Sequence, residues 1–165
     1  MSSYLNFYVR KANTEICISL VSYSRSNKIY ETFEEVFGSH IEDWEHPKCQ
    51  SLTMYDLNEW ADYIKGGIKH SENTVKYYKD LQQYIKTIPA ASLDEIMERY
   101  NEYQEMIDYN EKELKELTQI NYLICFLKHI HEEQQILEKN FPDTPWIYAG
   151  IEGINPYPDD NKETK

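Results

Sequence analysis

Leu5, Phe7 and Val9 alternate with Tyr4, Asn6, Tyr8 and Arg10, and after Ala12-Asn13-Thr14 the two-residue period resumes at Ile16, Ile18 and Leu20. Successive strand side chains point to opposite faces, so this aromatic and β-branched pattern predicts a half-buried β-hairpin. Beyond the polar residues 22–27 the period changes, because Ile29, Phe33 and Phe37 recur four apart. That spacing predicts a short amphipathic helix that ends at Gly38 and covers the hairpin as a ββα head. Residues 39–52 show neither period and contain Pro47, so they read as a loop.

Two long helices follow. Thr53 is an N-cap residue with Asp56 three positions on, and the helical pattern runs to about Ile88. Leu57, Ala61, Ile64, Ile68, Ser71, Val75, Tyr78, Gln82 and Ile85 recur at the alternating three and four spacing of a coiled-coil seam, which Leu81 widens. Gly66-Gly67 interrupts the seam helix, and each glycine costs about 1 kcal/mol relative to alanine, so a bend, fray or close approach is expected there.

Pro89 closes this helix, and Ser92-Leu93-Asp94-Glu95 has the form of a capping box that starts the next. The second seam reads Leu93, Ile96, Tyr100, Tyr103, Ile107, Asn110, Leu114 and Leu117, then drifts to Ile120, Ile124, Leu127 and Ile130 before fading near Asn140. A short connection between two long helices forces them antiparallel, and counting outward from the turn sets Ser71 opposite Asn110 as a polar register layer. Because the second helix outlasts the first, residues 128–140 must pack on the head or tail, or meet another chain. The tail has Pro142, Pro145, Pro156 and Pro158 around residues 146–151, a short apolar run able to add a strand to the head.

The expected fold is therefore α+β and mostly α. A ββα head and loop occupy residues 1–52, an antiparallel coiled-coil-like hairpin residues 53–140, and an extended proline-rich tail residues 141–165.

Charge narrows the choice of partners. The 165 residues include 17 Lys and Arg against 29 Asp and Glu, a net charge of −12 that opposes direct nucleic-acid binding and anionic membranes. Fifteen tyrosines supply the broad amphipathic contact typical of protein interfaces. Three well-separated cysteines, Cys17, Cys49 and Cys125, do not make a disulfide framework, and no secretory or membrane-spanning pattern is present. A soluble cytoplasmic chain is the expectation.

Candidate chemistry is sparse. Residues 40–49 gather His40, Glu42, Asp43, Glu45, His46 and Cys49, but without the paired spacing of a closed zinc site, so an acidic surface loop is expected. His129 and Glu133 are helical neighbours that read as an exposed pair, and Asp94, Glu95, Glu98, Glu102 and Glu105 read as a solvated carboxylate face. No nucleophile elbow, phosphate loop or dinucleotide fingerprint occurs, so the expectation is a non-enzymatic chain without metal or cofactor. Arg10, Lys11, Arg25 and Lys28 stand against Glu15 alone in residues 1–30, and Ser22, Ser24, Arg25 and Ser26 precede a helix N-terminus that could hold an anion.

Leu5-Asn6-Phe7-Tyr8-Val9, residues 18–26 and Ile29-Tyr30-Glu31 resemble the N-terminal part of small uncharacterised proteins of tailed bacteriophages. The resemblance implies phage origin and expression in a bacterial host, and it brings no activity with it. The sequence thus points to an acidic interaction module, with a protein partner that presents a basic surface. A phage accessory or inhibitor protein is the leading expectation. The alternatives are a structural or scaffolding subunit that forms homo-oligomers, and a head that binds a small anion or nucleotide.

Overall fold

The computed structural model describes residues 4–10, 17–24, 26–41, 50–89, 91–137 and 147–151. These form β1 (Tyr4–Arg10), β2 (Cys17–Ser24), α1 (Lys28–Ile41), β3 (Gln50–Leu52), α2 (Met54–Ile85), α3 (Leu93–Leu137) and β4 (Ile147–Ile151). The chain is mostly helical and begins with a two-stranded antiparallel hairpin. It divides into two compact units, one drawn from Met1–Ala61 and Tyr122–Lys165, the other spanning Asp62–Asn121.

In the first unit a four-stranded sheet runs in the order β2-β1-β4-β3, with every neighbouring pair antiparallel. Leu5 lies opposite Tyr23 and Phe7 opposite Val21, after which the register shifts and Val9 meets Ile18. One extra residue reverses the parity of everything beyond it. Val21 and Tyr23 therefore share a face with buried Leu5 and Phe7, and Ile18, expected inside and set opposite Val9 on that same face, is 60% exposed.

The segment read as a loop carries structure at both ends. Helix α1 passes through Gly38 to Ile41, and Gln50–Leu52 pairs with β4, which lies between β1 and β3. Gly38 keeps an ordinary backbone angle, and a Cβ there would meet only Glu34 Cγ at 3.7 Å, so nothing requires the left-handed cap that would end the helix. A three-residue strand is too short to display alternation, and its partner arrives almost a hundred residues later.

Asn27 starts α1 by accepting the Ile29 N–H on its side chain at 2.9 Å and the Tyr30 N–H on its carbonyl at 3.0 Å. The core this helix covers is aromatic. Phe7 stacks on Trp60 with ring centroids 6.0 Å apart, Phe33 meets Trp60 edge-on at 5.5 Å, and Phe37 lies 4.7 Å from Phe33. Such pairs add about 0.5–1.5 kcal/mol beyond the area they bury. The Trp60 indole donates to Thr32 Oγ1 at 3.3 Å, and that hydroxyl donates onward to the Ile29 carbonyl at 3.2 Å. Leu123, Ile124 and Leu127, near the end of α3, are buried in the same unit.

In the second unit α2 and α3 meet in antiparallel register. Gly67 approaches Leu117, Tyr78 meets Tyr103 at 5.9 Å, Lys79 pairs with Glu111 at 3.0 Å, and Gln82 donates to Gln104 at 3.0 Å. Ile64, Ile85, Ile107, Leu117 and Ile120 are buried there.

Both long helices begin with reciprocal caps. Thr53 N–H donates to Asp56 at 2.8 Å and Asp56 N–H to Thr53 Oγ1 at 3.2 Å, while Ser92 and Glu95 exchange the equivalent bonds at 3.1 and 3.3 Å. Helix α2 ends at Ile85, earlier than Ile88, because Thr87 and Ile88 close tighter bonds onto Tyr84 and Ile85 ahead of Pro89. Helix α3 is assigned to Leu137, and the residues expected to carry it to Asn140 lie outside those described.

Candidate functional site

The outer face of α3 is set by helical arithmetic. Ile107 and Asn110 are buried, so side chains half a turn away must face outward. Glu98, Glu102, Glu105 and Tyr109 follow the four, three, four spacing of one stripe, and all four are exposed. Met106 flanks them, and Leu93 and Met97 are exposed in the first two turns. Over residues 93–111 seven carboxylates stand against Arg99 alone. Glu111 is engaged by Lys79 and Asp108 accepts from Gln104 at 2.8 Å. Glu98, Glu102 and Glu105 form no ion pair or side-chain hydrogen bond among the described residues.

This arrangement supplies unpaired anions beside soft apolar and aromatic surface. It offers charge to steer a cation-bearing surface inward, and Tyr109 and the methionines as contact once it arrives. It holds no assembled acid and base pair.

Three of the four residues of the anion candidate at the head are described. Ser22 is exposed in β2 opposite Asn6, the Ser24 and Ser26 hydroxyls bond to each other at 3.1 Å, and the Asn27 N–H is taken by the Ser24 carbonyl at 2.9 Å. Arg25 lies outside the described residues. The cap of α1 is the Asn27 side chain, which accepts the Ile29 N–H.

Ser71 and Asn110 are both buried in the second unit, and the Asn110 amide donates to the Met106 carbonyl of its own helix at 2.8 Å. Residues 42–49 of the acidic loop also lie outside the described residues. Among those described, no three His, Cys, Asp or Glu side chains are grouped to hold a metal ion. His129 and Glu133 are exposed, and so is the Cys125 thiol.

No protein-family model, curated protein or solved structure matches the chain.

Two features escaped the sequence reading. His131 is buried, with no partner for its Nδ1 among the described residues, where the seam count selected Ile130; burial lowers its pKa, opposed by the Glu132 charge and by a backbone hydrogen bond. Continuing the three and four spacing from Ile124 and Leu127 reaches position 131 as readily as 130, and the histidine's polarity hid it. The second is Tyr122, Phe126 and Ile136, exposed large side chains that share a three and four spaced stripe with His129 and Glu133. No described helix is long and apolar enough to cross a membrane.

Proposed function

We propose that this chain is a non-enzymatic interaction protein whose acidic α3 face meets a basic surface on a protein partner. The observation that carries the reading is the exposed stripe of Glu98, Glu102, Glu105 and Tyr109, whose carboxylates have no partner among the described residues. Isolated carboxylates at helical spacing raise solubility, but interleaved Tyr and Met raise the cost of leaving the surface bare. A basic partner relieves both terms at once.

The finer architecture belongs to the same proposal. The head is a ββα unit, and α2 and α3 pack as a coiled-coil-like hairpin with Ser71 and Asn110 in one register layer. Stepping seven residues, two turns, from the Tyr78 and Tyr103 contact along each helix reaches these two buried positions, which supports the pairing. The resemblance of residues 1–35 to small phage proteins brings no activity with it and implies expression in a bacterial host; on that basis we propose a host protein as the partner, and an accessory or inhibitory role for the chain.

The test is affinity capture from bacterial lysate at low and high salt, with the wild-type chain and with a chain carrying Glu98→Lys, Glu102→Lys and Glu105→Lys. The expected result is a protein enriched by the wild type, weakened by salt and lost with the triple variant. Equal recovery by both chains would show that the acidic face does not hold the partner.

A structural subunit is the second reading, favoured by the exposed Tyr122, Phe126 and Ile136 stripe. Light scattering separates the two, since a monomer at micromolar concentration is expected of the accessory factor and a stable oligomer of the subunit.

A further inference from the structure

Where α2 turns into α3, the second unit has a cleft of about 380 Å³ lined by Ile85, Ile88, Ala91, Ile96, Glu95, Glu98 and Arg99. Its lining is largely aliphatic, because Ile85 and Ile96 are seam residues on opposing helices and Ile88 and Ala91 join them from the connection. Its rim is ionic. One Glu95 carboxylate oxygen accepts the Ser92 N–H, so that side chain is held by the helix cap, while Glu98 has no side-chain partner among the described residues.

Glu98 is also the first residue of the exposed stripe that continues through Glu102 and Glu105. An apolar recess and an unpaired anionic row therefore share a residue. Of the two cations nearby, Arg99 lines the cleft, and the Lys86 ammonium sits 5.1 Å from the centre of the Tyr100 ring. Across residues 85–105 these two stand against five carboxylates, so the field at the cleft mouth favours cations.

We infer that the cleft is the anchor pocket of the acidic face, receiving one aliphatic side chain from a lysine- or arginine-rich segment of the partner while its cations run along Glu98, Glu102 and Glu105. The inference rests on the acidic-face reading and deepens it. A buried anchor in a water-excluding recess, ringed by weaker charged contacts, is the usual division of labour in an interface. Charge steers the segment and the anchor holds it.

The test uses three synthetic peptides, each with the full chain: a lysine-rich peptide with one central leucine, the same peptide with serine in its place, and a version with glutamate for every lysine. Affinities are read by fluorescence polarisation, and the contact by methyl spectra of the isoleucines. The leucine peptide is expected to bind about tenfold or more tightly than the serine peptide, as burial of one leucine implies, and to shift the Ile85, Ile88 and Ile96 methyls. Ala91→Trp, which fills the cleft, should abolish that advantage, and Ile88→Gln should reduce it; circular dichroism establishes that each variant is folded.

Equal binding of the leucine and serine peptides overturns the anchor pocket and leaves the acidic face standing. Unchanged binding to the Glu98→Lys, Glu102→Lys and Glu105→Lys chain overturns the acidic face itself. Binding of the glutamate peptide, or of none, overturns both.

Discussion

Thr32 and Trp60 tie α1 to the start of α2 through one buried hydrogen bond, so their energetics are decided at single atoms. Thr32→Val keeps the shape and removes the acceptor, leaving the indole N–H dry. An unpaired buried donor costs about 1–3 kcal/mol, and urea unfolding should show a loss of that size. His131 tests burial differently. Its pKa is lowered in the folded chain, so the unfolded state binds more protons, and stability rises with pH. That contribution is complete above the ordinary imidazole value of about 6.5 and is lost as pH falls through it toward the folded value. Unfolding curves at pH 7.5 and 5.5 should separate for the wild type, and His131→Leu should narrow the gap. An equal gap in both chains would show that other groups govern the acid response.

At the scale of elements, the two glycines of α2 make a paired experiment. A Cβ at Gly66 meets nothing within 4 Å, whereas one at Gly67 comes within 3.1 Å of Leu117 Cδ1. Gly66→Ala should therefore stabilise by close to the full helical gain of about 1 kcal/mol. Gly67→Ala has the same gain but must push Leu117 aside, so its thermal midpoint should rise less or not at all. Ser92→Ala removes one half of a reciprocal cap and should cost about 0.5–2 kcal/mol. These elements were legible because long helices repeat their pattern many times and announce their starts with paired capping residues. The sheet was less so. The shift beside Phe7 leaves no trace in the alternation, and Gln50–Leu52 is a strand only because β4 lies next to it. Trp60 was missed for a subtler reason: Leu57, Trp60, Ala61 and Ile64 form the broad stripe of a globular helix, whereas a coiled-coil seam counts only three of the four.

For the whole molecule, a net charge of −12 states a preference for cations but not where it is exercised. The location we propose rests on the stripe in which exposed Glu98, Glu102 and Glu105, with no partner among the described residues, stand beside Tyr109 and the exposed methionines, whereas Glu111 is paired with Lys79. The carboxylates themselves were visible in the sequence, but the cleft beside Glu98 depends on how Ile85, Ile88 and Ile96 converge at the turn, which no linear spacing reveals. We propose residues 93–109 as the binding face. Its most direct test is hydrogen–deuterium exchange of the chain with and without the salt-sensitive partner recovered by capture. Slower exchange over 93–109 is predicted. Slowing confined to 122–136, or to the sheet, would contradict it.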